Sequence, residues 1–506
     1  DEIATEVSNA LAVSLMIADG DSPFGSVSTR NVEAYDLYLQ ALSEYRKASI
    51  AALERADQLL QRAVLIEPKF AEAYALLGQV VMWRTSTGAL GYEEGLAGAL
   101  DYAERALVLD PGNVDARVLE ITMRSQIATF SGDYGSSEAA MAAIEALVAE
   151  AAGEVGPKLV YSGFLQFYRR YEEALTQLDR AIELDPLNPE LHYRRGQLLQ
   201  EPSVGRLSEA RQAMMKSLEI EPDQPNVHGA LAYVEKQQGE LIGLVESLEE
   251  AARIDPLDPE LPVQIALELS YLGLPELAAP YLERATAIDA NNPRVRFTAI
   301  VHALVAGERE RFFALARNVI ADDIDNRRGS FDLTVGLFVR ESQRDGTLDE
   351  AVEFIVAHHP GFMDPFGTSA PLKVLIARGQ SLFTMALGQS AEEQLAAAAL
   401  MREMATSAGQ QLEDWDLSYL EVQVLEGNPD KAIAYMLDTV FPSQPFEAPY
   451  DLLWPLLHGP MFEEVIAQPE VAAGLANWQR SLDLAIKRLV DHLERRAAQS
   501  DLSTQT

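Results

Sequence analysis

The feature that most constrains the fold is a ten-residue phrase that recurs along the chain. One copy is AIELDPLNPE, from Ala181 to Glu190. Each copy has a small residue, an apolar pair, an acid and, in most copies, a proline five places after the small residue. The copies begin at Ala63, Ala106, Ala181, Ser217, Ala251 and Ala285. A phrase repeated in this way indicates a supersecondary unit that is repeated and that buries its apolar face against its neighbours.

A second set of residues gives the period of the repeat. Four glycines are each separated by 34 residues, and an apolar residue follows each glycine five places later. The glycines are Gly205, Gly239, Gly273 and Gly307, and the apolar residues are Ala210, Leu244, Ala278 and Phe312. Because glycine accepts the left-handed conformation at a helix end and proline cannot continue a helix, the pattern predicts two helices and a turn in each unit. We therefore predict an all-α fold, a right-handed α-solenoid of helix–turn–helix repeats.

One unit carries the pattern across both helices. The segment YEEALTQLDRAIELDPLNPELHYRRGQLL, residues 171–199, resembles the tetratricopeptide repeat (TPR). The resemblance implies six well-matched repeats, followed by degenerate TPR-like helices. The predicted domains are an N-terminal helix and Gly/Ser/Pro linker (1–30), a TPR array (31–307) with one divergent stretch (about 113–156), degenerate TPR-like repeats (308–470), and a capping helix with a polar tail (471–506). The stretch FDLTVGLFV, residues 331–339, resembles a strand, but its neighbours favour a helix.

Composition excludes several classes of function. The 506 residues include 40 Lys and Arg against 78 Asp and Glu, which gives a formal net charge of −38. Such a surface repels phosphate groups, so nucleic-acid binding is not expected. The chain has no Cys, which excludes disulfides, thiolate metal sites and a Cys nucleophile. No apolar run reaches the roughly 18 residues of a membrane-spanning helix, so we expect no membrane insertion by this chain.

The two ends of the chain carry a second resemblance. Residues 1–15, DEIATEVSNALAVSL, and residues 452–478, LLWPLLHGPMFEEVIAQPEVAAGLANW, resemble the repeat-containing tail of large bacterial winged-helix or nucleotide-cyclase regulators. Those regulators carry the tail outside the cytoplasm. The resemblance implies a periplasmic or extracellular location in a bacterium, while a cytoplasmic location stays open. Because the sequence begins at Asp1, we expect a mature or truncated product.

The sequence contains none of the catalytic motifs that we searched for. A Gly-rich phosphate loop with Lys-Ser/Thr, HExxH and GxSxG are all missing, so we predict a protein that is not an enzyme and has no cofactor. The turn ADDIDNRRG brings Asp322, Asp323 and Asp325 together, but a calcium loop needs further ligands that this turn lacks, and a solvated acidic turn explains it. His358 and His359 are adjacent and point about 100° apart on a helix, so no metal site is predicted.

The inner face of the array is the predicted binding surface. In TPR proteins the first helix of each unit lines a concave groove, and counting from each proline gives the side chains that face it. The predicted groove residues are Tyr193, Arg194, Gln197, Asn226, Tyr233, Lys236, Gln237, Gln264 and Tyr271. Amides bond to a peptide backbone and tyrosine supplies apolar area with a polar tip, which suits an extended peptide. The alternative is an ordinary solvated concave surface.

These observations lead to three hypotheses of function. The first is a non-catalytic scaffold that binds a peptide or protein partner in the groove. The residues with which some TPR proteins clamp a C-terminal carboxylate are not matched, so that ligand is not expected. The second is a self-assembling subunit of an extracellular filament or ring, because a solenoid has unlike ends and head-to-tail contacts propagate. The third is an enzyme with an unrecognised site, which no convergent set of titratable residues favours.

Overall fold

The secondary structure of the described part of the chain consists of helices. The computed structural model describes residues 29, 31–47, 50–86, 90–130, 134–322, 330–359, 395–396, 398–403, 416–441 and 462–504. These residues contain no β-strand, which confirms the predicted all-α fold. The chain divides into two compact units, Asp1–Val227 and His228–Thr506. The boundary between the units falls inside the array predicted over 31–307.

The first unit is a stack of helix pairs. Its helices are α1 (Val32–Arg46), α2 (Ile50–Ile66), α3 (Ala71–Ser86), α4 (Tyr92–Leu109), α5 (Val114–Phe130), α6 (Tyr134–Glu150), α7 (Val155–Phe167), α8 (Tyr171–Leu184), α9 (Pro189–Leu199) and α10 (Leu207–Ile220). Each odd-numbered helix packs against its successor and makes one helix–turn–helix unit. This packing confirms the predicted α-solenoid of helix pairs. The divergent stretch at about 113–156 contains α5, α6 and the start of α7.

The second unit continues the same arrangement. α11 (Pro225–Gln237) begins in the first unit and ends in the second. The further helices are α12 (Leu241–Ile254), α13 (Glu260–Tyr271), α14 (Pro275–Ile288), α15 (Pro293–Val305), α16 (Arg309–Asp322), α17 (Ser330–Asp345), α18 (Leu348–His358), α19 (Asp416–Leu425), α20 (Pro429–Tyr435), α21 (Glu463–Ile466) and α22 (Pro469–Thr504). A π-helical turn, Met436–Val440, extends α20. The stretch at residues 331–339 lies inside α17, so the prediction of a helix there is confirmed.

Small residues lie at the contacts between helices, as the repeat predicts. The small residue of the ten-residue phrase is fully buried in every copy. These residues are Ala63, Ala106, Ala181, Ser217, Ala251 and Ala285. Each lies near the end of an even-numbered helix, where a short side chain lets the neighbouring helix approach closely. Larger apolar residues, such as Phe70, Phe312 and Phe338, fill the core, and each stabilises the fold by about 1.5–3 kcal/mol.

The turn inside most units has the predicted left-handed glycine. Six glycines have positive φ values, from 62° to 76°. They are Gly205, Gly239, Gly273, Gly307, Gly346 and Gly427. Between α7 and α8 the same place is occupied by Arg169, whose φ is 57°. A residue with a Cβ is less stable in this conformation by about 1–2 kcal/mol, so the turn before α8 is strained.

A polar residue two places after the proline position starts several odd-numbered helices. The side-chain oxygen of Asn188 accepts a backbone N–H in the first turn of α9 at 3.1 Å, and Asn292 does the same for α15 at 2.8 Å. Asp258 accepts an N–H of α13, also at 2.8 Å. Each cap satisfies a backbone donor that has no partner within the helix and stabilises it by about 1 kcal/mol.

The C-terminal helix α22 contacts more of the second unit than a cap on the last repeat, as predicted over 471–506, would contact. Its first turns pack against the last described repeat, where Trp478 joins a core that includes Met436. The helix then continues along the second unit, and Leu489 joins the core formed by α12 to α15. Near its end Arg496 forms an ion pair with Glu249 of α12 at 2.7 Å. α22 therefore joins repeats that are far apart in the sequence.

Several predictions fall outside the described residues. Except for residue 29, the N-terminal helix and linker predicted over 1–30 lie outside them, and so do Asp323 and Asp325 of the acidic turn. In the part of the chain predicted as degenerate repeats, residues 360–394, 404–415 and 442–461 lie outside them as well.

Candidate functional site

The inner side of the first unit contains an open cavity of about 1180 Å³. Residues of α1, α3, α5, α7 and α9 line it, whereas the even-numbered helices contribute only Tyr92, Leu178 and Ile220. On each odd-numbered helix the lining residues are spaced so that one helical face is directed to the cavity. On α7, for example, they include Gly156, Leu159, Val160, Gly163, Phe164 and Phe167. The cavity therefore lies on the face that the repeat pattern predicts as the binding surface.

Small residues of α7 provide part of the space. A Cβ added at Gly163 would meet no neighbouring atom within 4 Å. At Gly156 an added Cβ would meet one atom, a carboxylate oxygen of Asp115, at 3.5 Å. Larger residues at these two places would extend into the cavity without a clash. The small size of both residues thus keeps the cavity open.

Aromatic side chains form much of the apolar wall. Trp83 of α3, Phe164 and Phe167 of α7 and Tyr92 of α4 all line the cavity. Phe167 exposes 65% of its surface, and its ring meets the edge of Tyr168 at 5.3 Å between centroids. Large apolar side chains that are exposed together on a concave face are typical of surfaces that bind other molecules.

Asp115 is a carboxylate of the cavity whose pKa is raised. It lies in the first turn of α5 and stays accessible to water, although protein surrounds it on several sides. Burial raises the pKa of Asp115, and the negative charges of Glu154 and Glu72 raise that pKa further. The cavity therefore holds a carboxylate in a negative electrostatic field.

Four of the predicted groove residues lie at or near this cavity. Arg194 and Gln197 line it directly. The guanidinium of Arg194 donates to Glu190 at 2.6 Å, and the amide of Gln197 donates to the hydroxyl of Tyr193 at 2.7 Å. Tyr193 is only 8% exposed and is also hydrogen-bonded to Asn226. Tyr193 therefore holds the side chain of Gln197 through its hydroxyl, and its own ring does not line the cavity.

The other predicted groove residues belong to the second unit. Tyr233 is 43% exposed on α11. Lys236 forms an ion pair with Glu268 of α13 at 2.8 Å. The remaining residues, Gln237, Gln264 and Tyr271, are half-buried. The structure thus places the nine predicted residues in two groups, one in each unit.

Sequence analysis missed the contributions of α1, α3, α5 and α7 to the cavity. A signal was present for two of these helices. Gln197 lies eleven places after Pro186, and the same count gives Gln79 from Pro68 and Thr122 from Pro111. Gln79 and Thr122 both line the cavity. No such count reaches α7, because the divergent stretch before it lacks the proline.

The acidic turn and the two histidines have local partners. Asp322 forms an ion pair with Arg296 at 2.6 Å. His358 and His359 each bond to a backbone carbonyl oxygen. Across the described residues no group of three or more His, Asp or Glu side chains is arranged to hold a metal ion. In the same residues no helix is long and apolar enough to cross a bilayer.

The class of protein follows from this architecture: helix pairs stacked with their first helices on one concave face define an α-solenoid. Residues 170–201, which include α8 and α9, match the family model of the TPR repeat. These residues therefore match a TPR repeat, within an α-solenoid of helix pairs. A comparison with curated proteins found no match.

Comparison with solved structures found similar helical repeat proteins. A thermophilic TPR protein of Thermus thermophilus is 17% identical, with 40% of this chain and 98% of that chain covered and a TM-score of 0.33. YrrB, described as a TPR protein with an unusual peptide-binding site, is 20% identical. The match covers 34% of this chain and 88% of YrrB, with a TM-score of 0.28. Yeast Tom70 is 10% identical. The match covers 88% of this chain and 99% of Tom70, with a TM-score of 0.42.

Proposed function

We propose that this protein is a non-catalytic scaffold and that its first unit binds an extended segment of a partner protein in the cavity. The observation that carries this proposal is the cavity itself, because five successive odd-numbered helices turn one face toward it. Its volume, about 1180 Å³, exceeds the roughly 300–1,000 Å³ of small-molecule pockets. An extended chain fits such a space better than a compact metabolite does.

The chemistry of the wall supports a peptide ligand. Gln79, Thr122 and Gln197 have side chains that donate and accept hydrogen bonds, as a peptide backbone requires. Trp83 and Phe167 add apolar area against which ligand side chains pack. Alternating polar and aromatic groups along one face are a common means of recognising extended peptides.

The proposal is tested by filling the cavity. Gly163→Leu places a side chain in open space, and replacing glycine in a helix stabilises it by about 0.5–1 kcal/mol, so the fold should be retained. Peptides are first selected on the wild-type protein from a phage-displayed library of random sequences. Their affinities for the wild type and for the variant are then measured by fluorescence anisotropy. We expect Gly163→Leu to weaken binding by about tenfold or more.

A matched control is available in the second unit. Gly229 is also helical, and an added Cβ there meets no neighbouring atom within 4 Å. Gly229→Leu should therefore leave peptide binding unchanged. The proposal fails if no peptide is selected, or if the selected peptides bind equally well to both variants.

A further inference from the structure

Asp115 is a charged residue of the cavity that has no basic partner among the described residues. Arg194 is neutralised by Glu190 at 2.6 Å, and Asp185 accepts a hydrogen bond from Asn188 at 3.2 Å. In the described part of the chain, Asp115 makes no ion pair and no hydrogen bond through its side chain. Its carboxylate is therefore free to interact with a ligand.

The charged groups that act on Asp115 are negative. They are Glu72, in the first turn of α3, and Glu154, the residue before α7. Two phenols of α1, Tyr38 and Tyr45, also lie within electrostatic range of the carboxylate. Among the described residues, no basic side chain offsets the effect of the two glutamates on the pKa of Asp115. A positive group that enters here therefore gains from three carboxylates together.

The lining of the cavity as a whole also has a negative net charge. Its lining contains four acidic residues against two basic ones. The acidic residues are Asp115, Asp185, Glu190 and Glu221, and the basic ones are Arg46 and Arg194. Arg46 lies within electrostatic range of Glu221, which compensates part of its charge. A ligand with positive charge therefore complements the cavity, and an acidic ligand does not.

Gly156 keeps the carboxylate uncovered. It is the second residue of α7 and faces Asp115, since an added Cβ would be 3.5 Å from a carboxylate oxygen. A longer side chain at this place would cover the carboxylate. The aromatic residues Phe164 and Phe167 follow on the same face of α7. The carboxylate of Asp115 on α5 thus faces the start of α7, and the aromatic residues lie further along α7.

We propose that the occupant of the cavity is a basic peptide segment whose Lys or Arg side chain pairs with Asp115, while neighbouring apolar side chains pack on the aromatic wall. This inference rests on the proposed function and adds the chemistry of the ligand. A Lys or Arg side chain that pairs with a carboxylate is held by a charge-assisted hydrogen bond. The pairing supplies the charge that the fold leaves uncompensated at Asp115.

The test uses the peptides selected from the random library. We expect Lys and Arg to be enriched in them over Asp and Glu, and Asp115→Asn to weaken binding by about tenfold. A peptide in which the pairing Lys or Arg is replaced by Gln should lose the same factor on the wild type. It should lose little more on Asp115→Asn, because the two changes remove one interaction. Binding should also weaken as salt is added.

The control removes the same charge elsewhere. Asp101 lies on the outer side of α4 and is paired with Arg105, away from the cavity lining. Asp101→Asn should leave binding unchanged. The inference is overturned if neutral or acidic peptides are selected, or if Asp115→Asn binds basic peptides as well as the wild type does. Those results, with binding still lost in Gly163→Leu, would leave the proposed function intact.

Discussion

The two units differ in the residues that they carry at one place in the repeat. The residues eleven places after the proline in the first unit are Gln79, Thr122 and Gln197. All three line the cavity. In the second unit the same place holds Tyr233 of α11, which is 43% exposed, but also Leu267 of α13 and Val301 of α15, which are buried together with Phe297. This position is thus polar and open to the cavity in the first unit, whereas on α13 and α15 of the second unit it is apolar and packed.

The helix pairs themselves should be equally sensitive in both units. Ala181 of α8 and Ala251 of α12 occupy the same place and are fully buried. Replacing either with Leu should destabilise its unit by about 1–3 kcal/mol, because the larger side chain does not fit where two helices touch. Calorimetric unfolding checks this. A cost in one unit only would show that the two units do not stack their helices alike.

Substitutions on the inner faces should change the stability of the two units by different amounts. Val301→Thr places a hydroxyl in an apolar cluster of the second unit and should cost about 1–2 kcal/mol. The reverse change in the first unit, Thr122→Val, should alter the stability by about 0.5 kcal/mol or less, because Thr122 faces the cavity. Denaturant titration of both variants measures the difference. Equal costs would contradict the contrast between the two faces.

The turn before α8 offers a smaller test in the first unit. Arg169 has the positive φ that glycine has in the other turns. Arg169→Gly should stabilise the first unit by about 0.5 kcal/mol, since the relief of strain exceeds the added entropy of the unfolded chain. The matched change in the second unit, Gly239→Ala, should instead be destabilising. A loss of stability in Arg169→Gly would mean that the contacts of the Arg169 side chain stabilise the fold by more than the backbone strain destabilises it.

The smallest effect concerns pH and the cavity. The pKa of Asp115 is raised by burial and by Glu154 and Glu72, so the folded protein holds this proton more tightly than the unfolded chain does. The contribution of Asp115 to stability is therefore greatest at low pH and falls as pH rises from about 3.9, its unfolded value, through the raised pKa. Asp115→Asn should gain stability relative to the wild type at pH 7, and the gain should shrink near pH 4. Thermal melts at both pH values check this. A difference that does not change with pH would contradict it.

The repeat made much of the fold predictable from sequence. The spacing of Gly205 and Gly239 and the buried small residues such as Ala181 report local geometry, which each unit specifies for itself. The cavity was only partly predictable, because its lining comes from five helices whose faces meet after stacking. The divergent stretch before α7 has no proline from which to count, so Gly163 and Phe167 carried no repeat signal. The burial of Tyr193 was not predictable either, because it depends on the packing of its neighbours.

The contact of α22 with α12 has a consequence for the order of events during synthesis. Most contacts of a helical repeat protein join neighbouring units, so folding can follow the chain as it leaves the ribosome. Arg496, however, meets Glu249, which is made about 250 residues earlier. At about 5–20 residues per second, the surface of α12 waits about 12–50 s for its partner. During that interval the apolar residues that Leu482 and Leu489 later cover stay exposed to water.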